Sequence, residues 1–348
     1  MMKLAAILSN FGNRADRFLV SGYGTDRSLE QLFDSAVEVP ELEGVELVGT
    51  WHLTPETLEE VRQHLARTGL APVSVIPNLF GTAGFGKGSL SAHDSGVRRE
   101  AVDEVKQMVG LARAIGCPCV CIWPGQDGYD YPFQADYARS FEWLVEGLQE
   151  CADYAPDLRF ALEYKIKEPR TRSFVSTVDR TLVLIHAVGR ENVGATLDYG
   201  HALQAYENPA ESASLLKLSG QKLFHVHLND NYRLWDDDLI FGLIHPVEAF
   251  EFIYWLRRTG YDGWCSFDQY PYREDPVRAI AEGARWFRSL EALLDGASAE
   301  EIDSILESGD ATAASAFFRE LFFRESMGVA ASRESGSGKR VMRGQRTI

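Results

Sequence analysis

Leu223-Phe-His225-Val-His227-Leu-Asn229-Asp230-Asn-Tyr-Arg-Leu-Trp-Asp236-Asp237-Asp238-Leu239 sets two histidines and four aspartates on one apolar run and the loop that follows it. Side chains alternate along a strand, so His225 and His227 share a face. The Asp236-x-Asp238 spacing likewise aims both carboxylates one way. Imidazole and carboxylate donors without thiolate suit Mg²⁺, Mn²⁺ or Co²⁺ better than a structural zinc. The stretch therefore predicts a strand whose C-terminal end meets a metal, and the rest of the chain has to supply the neighbouring strands.

Working outward, short β-rich runs recur at Leu4–Leu8, Val45–Gly49, Pro72–Pro77, Cys117–Trp123, Arg159–Lys165, Val193–Asp198, Leu223–Leu228 and Trp264–Asp268, eight in all. Between them, apolar residues at three- and four-residue spacing predict helices at Ser28–Ala36, Pro55–Thr68, Arg98–Ile115, Ala138–Tyr154, Val178–Val188 and Pro246–Thr259. Alternating strand and helix implies a parallel sheet with right-handed crossovers, and eight such units close into a barrel. The rival is an open doubly wound sheet, but no Gly-x-Gly-x-x-Gly follows an early strand. The expected fold is α/β, a (β/α)8 TIM barrel over residues 1–294 with extra C-terminal helices over 295–328 and a disordered tail over 329–348.

The C-terminal region predicts helices at Glu300–Leu306 and Ala313–Phe323, whose Phe317, Phe318, Leu321, Phe322 and Phe323 form an apolar face expected to dock on the barrel or on a neighbouring subunit. With 348 residues and 45% apolar content the chain can bury a full core. A formal charge of −16 repels a phosphate backbone, and basic residues are scattered until the Ser-, Gly- and Arg-rich tail, so no nucleic-acid partner is expected. No run of about 18 apolar residues exists, so no membrane partner is expected, and with no cleavage site after the N-terminal apolar run the expected location is cytoplasmic. Cys117, Cys119 and Cys121 alternate within one apolar run and read as buried, reduced thiols.

In a parallel barrel the C-terminal strand ends converge on one mouth. There the fifth strand brings Glu163 and Lys165, the sixth Asp198 and His201, the seventh His225 and His227, and the eighth Asp268. A lone carboxylate in an apolar run is costly to bury unless paired or metal-bound. Ligand types at four equivalent positions point to metal. Six to eight such groups exceed what one ion requires, so two divalent cations per subunit are expected, with Asp198 bridging and His201 reaching the second ion only. Lys165 points to the same side as Glu163, either to polarise a substrate oxygen or to neutralise surplus carboxylates.

At these residues the chain resembles the xylose isomerase-like TIM-barrel superfamily. Leu-Glu163-Tyr-Lys165-Ile-Lys-Glu-Pro-Arg170 resembles a Glu-Pro-Lys-Pro-Asn-Glu-Pro-Arg segment of xylose isomerases; Phe224-His225-Val-His227-Leu-Asn229-Asp230 and Asp236-Asp-Asp238-Leu resemble their His-Ile-Asp-Leu-Asn-Asp and Asp-x-Asp-Leu elements. Weaker echoes are Thr50-Trp51-His52, Asn78-Leu79-Phe80 and Trp123. The resemblance implies that Glu163, Asp198, His227 and Asp268 hold a substrate-binding metal and that Asp198, His201, Asp236 and Asp238 hold a second, the ions being Mn²⁺, Mg²⁺ or Co²⁺. His227 departs from xylose isomerases, which carry aspartate there, and matches the rhamnose isomerase branch. His52 matches the ring-opening histidine but is followed by Leu-Thr-Pro, without the carboxylate that orients it in xylose isomerases.

The implied activity is an aldose–ketose sugar isomerase, rhamnose or xylose isomerase-like, in which hydride moves between C1 and C2 of an open-chain sugar. Lys165 would steady the C1 oxygen, metal-bound hydroxide near Asp236 and Glu163 would handle the hydroxyl proton, His52 would serve ring opening, and Trp123 and Phe80 would wall the substrate from water. A small sugar is the expected partner, in a homodimer or homotetramer. The alternative is a ketose 3-epimerase of the same superfamily, which places Glu where Asp268 stands and has no need of Asp236 and Asp238. A metal-dependent endonuclease or other hydrolase would want a basic groove. Elsewhere, His64 and His186 are expected in packing or surface roles, His93 exposed, His225 supporting a ligand, His245 bordering the site, Asp230 and Asp237 outside the ligand set, and Asn229 bonded to loop backbone.

Overall fold

The eight apolar runs become eight parallel strands: β1 Lys3–Ile7, β2 Leu42–Val48, β3 Ala71–Ile76, β4 Cys119–Ile122, β5 Arg159–Glu163, β6 Val193–Asp198, β7 Leu223–Leu228 and β8 Trp264–Phe267. They pair in chain order around a ring, which β1 closes against β8 with Leu4 opposite Cys265 and Ala6 opposite Phe267. The computed structural model describes residues 1–336, with side chains to Phe323. Those residues divide into two compact units, one running from Met1 to Leu290 and one starting at Glu291.

Each strand is followed by a helix, at Leu29–Val37, Leu58–Thr68, Ser95–Ile115, Tyr137–Tyr154, Val178–Val188, Pro209–Leu218, Pro246–Arg258 and Pro276–Asp295. The strands are buried on both faces, as a barrel inside a helical layer requires, which is why they read as continuous apolar runs. Helix starts are set by side-chain caps. Ser28 and Gln31 form a reciprocal capping box, and Asp94, Asp136 and Asn208 each accept a backbone N–H of the first turn. Gly116, at φ +73°, ends Ser95–Ile115 and turns the chain toward β4.

Three details differ from expectation. The second helix begins at Leu58, because Thr54 and Thr57 cap each other and keep Pro55 ahead of the first turn. A six-residue helix, Tyr199–Gln204, leaves the end of β6 directly, with the Asp198 carboxylate accepting the His201 N–H. A two-stranded ribbon pairs Gly128–Tyr129 with Arg172–Ser173. Cys117, Cys119 and Cys121 are buried, and burial pushes the Cys117 thiol up to about 12, so these thiols stay protonated.

The unit from Glu291 contains helices Ala299–Ser308 and Ala311–Gly336. Phe317 and Leu321 are buried, the Phe318 ring packs against Phe317 and Phe322, and Phe323 is exposed. The helix reaches into the segment read as a tail, whose residues 337–348 lie outside those described. Among the described residues no helix is long and apolar enough to cross a membrane.

Candidate active site

β5, β6, β7 and β8 deliver Glu163, Asp198, His227 and Asp268 to one point: one donor atom from each lies within 4.8 Å of the others. His227 Nδ1 is 3.5 Å from Glu163 Oε2, 3.6 Å from Asp268 Oδ2 and 3.9 Å from Asp198 Oδ2. This nitrogen is buried and makes no hydrogen bond. A buried imidazole nitrogen without a partner, facing three carboxylates, is the donor chemistry of a divalent-cation site, so the residues fit a metal. Burial pushes the Asp268 carboxyl up to about 8 against the pull of His227.

Asp198 is placed by two devices. It caps the helix that starts at Tyr199, and Asn229 Nδ2 donates to both of its oxygens at 3.1 and 2.9 Å. Asn229 therefore holds the Asp198 carboxylate rather than loop backbone, which corrects the sequence expectation. The contact needs Gly200: a Cβ there would come within 1.7 Å of Asn229 Oδ1. Asn231 Nδ2 completes the corner by donating to the Gly200 carbonyl at 2.8 Å.

Of the second expected set, His201 and Asp236 meet, but among the described residues Asp198, His201, Asp236 and Asp238 do not gather their donor atoms at one point as the first set does. Lys165 Nζ donates to Asp236 Oδ2 at 2.6 Å, and His201 Nε2 lies 3.1 Å from the same oxygen. Lys165 also sits 3.4 Å from Glu168 Oε2 and 5.3 Å from the centre of the Trp123 ring. Burial opposes both cations, but the carboxylates win. Asp198 and Asp236 raise the His201 imidazolium to about 9, and Asp236, Asp238 and Glu168 hold Lys165 charged. Burial would raise the Asp236 carboxyl, yet Lys165 and His201 hold it well below the carboxylate range. Asp238 is only partly buried, at a left-handed backbone position of φ +48° that aspartate tolerates, and its carbonyl accepts the Tyr270 N–H at 2.8 Å.

These groups open on a cavity of about 720 Å³, lined by Glu163, Lys165, His201, Asp236, Asp238 and Asp268 on one side. The other side is aromatic. Phe80 lies 4.7 Å from Trp123 and 5.7 Å from Trp51, centre to centre, and all three line the cavity. His52 joins them, 3% exposed, with Nδ1 accepting the Val48 N–H at 3.0 Å. That bond assigns the ring proton to Nε2, and burial lowers the pKa to about 3, so His52 is a neutral donor. A backbone amide thus orients this histidine where xylose isomerases use a carboxylate. The rest of the wall comes from residues that sequence reading passed over, among them Asn13, Arg14 and Asp26 of the β1–helix loop.

Of the remaining candidates, Asp230 is fully buried and accepts His245 Nδ1 at 2.7 Å and the N–H groups of Ile244 and His245. It clamps the Asp236 loop at the start of the next helix. Asp237 is partly buried and accepts the Tyr232 N–H. His64 stacks on Phe33, His186 is exposed, and exposed His93 packs edge-on against Trp143. His225 lies 3.0 Å from Glu46, a β2 carboxylate absent from the expected set.

A sequence profile described as xylose isomerase-like TIM barrel matches residues 33–290. The chain belongs to that family. It is 31% identical over 237 residues to xylose isomerases of Thermus thermophilus and Thermus caldophilus, a match covering 66% of this chain and 61% of each relative. Among solved structures, this xylose isomerase-like barrel superposes on a D-tagatose 3-epimerase-like protein with TM-score 0.66 and 21% identity, over 84% of this chain and all of the other. A 3-keto-D-glucoside 4-epimerase from E. coli gives the same TM-score at 16% identity, over 83% of this chain and 100% of the other. At that identity the two structures share the fold.

Proposed function

We propose that this barrel is a divalent-metal-dependent isomerase of a small open-chain sugar, converting aldose and ketose by hydrogen transfer between neighbouring carbons. The observation that carries the reading is the unpartnered His227 Nδ1 facing Glu163, Asp198 and Asp268, two of which, Glu163 and Asp268, line a cavity that also has aromatic residues in its wall. These four residues would hold one ion; a second, held by Asp198, His201, Asp236 and Asp238, would need Asp198 and Asp238 to close on the His201–Asp236 pair, whose Nε2–Oδ2 distance is 3.1 Å. A divalent ion supplies Lewis-acid polarisation of adjacent sugar oxygens.

The protein's own groups do the remaining work. Lys165, held charged by Asp236, presents N–H donors toward the cavity and stabilises negative charge on a substrate oxygen as it develops. His52 offers a neutral N–H from the opposite wall and is too weakly basic to take a proton at neutral pH. Trp51, Phe80 and Trp123 exclude water from the migrating hydrogen. The charged His201 donates its Nε2–H to the Asp236 carboxylate in a buried ion pair that borders the cavity.

A ketose 3-epimerase is the second reading, favoured by Glu163 and Asp268 flanking the same point and able to act as paired bases. The Lys165–Asp236–His201 assembly supports the isomerase, since an epimerase has no need of it. The test is to incubate the Mn²⁺-loaded protein with a panel of aldoses and ketoses in deuterated water. Aldose–ketose conversion without solvent deuterium at the receiving carbon is the expected result. Inversion at C3 with deuterium incorporation would replace it with the epimerase, and no conversion of any sugar would remove both.

A further inference from the structure

Glu46 lies on β2, fully buried, across the barrel interior from the strands that carry the ligand set. Ser74, its register partner on β3, donates its hydroxyl to Glu46 Oε2. His227 Nε2 donates to the same oxygen at 3.3 Å, and His225 Nε2 lies 3.0 Å from Oε1. The two nitrogens of His227 therefore face different acceptors. Nε2 meets Glu46, and Nδ1 meets Glu163, Asp198 and Asp268.

An imidazole ligates through a deprotonated nitrogen, and the acceptor of its other N–H decides which nitrogen that is. We propose that Glu46 is the positioning residue of this site: it keeps the His227 proton on Nε2 and so leaves the Nδ1 lone pair directed at the ion, while Ser74 and His225 steady the Glu46 carboxylate. This rests on the reading of Glu163, Asp198, His227 and Asp268 as ligands. Burial argues for a task, because an ionised carboxylate deep in an apolar barrel is costly unless it is paired. Glu46, His225 and His227 are also close enough to be ligands of an ion of their own. An ion there would take the His227 Nε2 lone pair, and it could share the ring with an ion at Nδ1 only if both ring protons were lost; the three carboxylates facing Nδ1 and the Nε2 hydrogen bond to Glu46 favour the Nδ1 site.

The test titrates Mn²⁺ into metal-stripped full-length protein, wild type beside Glu46→Gln, Ser74→Ala and Glu163→Gln, and records the visible spectrum of the Co²⁺ forms. A glutamine amide donates to Nε2 as readily as it accepts from it, so it lets the proton shift to Nδ1. Glu46→Gln is expected to weaken Mn²⁺ binding by roughly 10- to 100-fold and to alter the Co²⁺ spectrum, with the metal-free protein still folded by circular dichroism. Ser74→Ala, which loosens the carboxylate without touching the imidazole, is expected to do the same to a smaller extent and keeps the test valid if Glu46→Gln does not fold. Wild-type affinity and spectrum in a folded Glu46 or Ser74 variant, with Glu163→Gln impaired, would overturn the role of Glu46 alone. Wild-type affinity in Glu163→Gln would overturn the ligand reading itself.

Discussion

His52 shows how one atom's environment sets a residue's duty. Its Nδ1 accepts the Val48 N–H, and burial holds its pKa near 3, far below the unfolded value of about 6.5. Between those two values the unfolded chain binds the extra proton, so folding stability contributed by neutral His52 is complete above pH 6.5 and drains away as pH falls toward 3. His52→Gln should accordingly show a smaller drop in thermal midpoint than wild type when the pH is lowered from 7 toward 4. Asp198 carries more. Asp198→Asn should weaken Mn²⁺ binding and turnover by more than the roughly 100-fold expected for losing an outer partner, as read by metal titration and sugar conversion. Residues that are ligand types at strand ends, such as Glu163, Asp198 and Asp268, were legible because a carboxylate interrupts an apolar run. Glu46 interrupts one as well, between Val45 and Leu47, but its histidine partners His225 and His227 lie far along the chain and no local spacing connects them. The His52 partner is a backbone amide, which no side-chain pattern reveals.

At the scale of elements, the turn from β6 into Tyr199–Gln204 and the start of the loop after β7 are mortised together. Asn229 enters the space that glycine leaves at position 200 and holds Asp198 from the other side. Gly200→Ala is expected to force Asn229 away, lowering stability by about 1–3 kcal/mol as overpacking does and reducing metal affinity; Gly200→Ala with Asn229→Ala should recover the stability but not the affinity. Denaturant unfolding and Mn²⁺ titration of the two variants check this. The strands were legible element by element, because burial on both faces leaves uninterrupted apolar residues. Two helices, Pro209–Leu218 and Pro276–Asp295, were implied by the eight units but given no bounds, for different reasons. The first is short and nearly all apolar or small, without a polar stripe, while the second carries the periodicity within the expected barrel domain. The β1–helix loop, whose Asn13, Arg14 and Asp26 line the cavity, has no periodicity to read.

For the whole molecule, ligation at the proposed site would be coupled to folding, because the candidate donors come from four strands that meet only in the closed ring. Mn²⁺ at 100 times its dissociation constant should stabilise the native barrel by about 2.7 kcal/mol. Scanning calorimetry with and without chelator should show that upward shift in wild type and little of it in Asp198→Asn. The same closure orders events in time. β8 reaches the ring only through residues 264–267, and Asp268 follows at once. A nascent chain that has not yet released β8 therefore cannot close the ring, and the cavity that Asp268 lines takes shape only after that strand has left the ribosome.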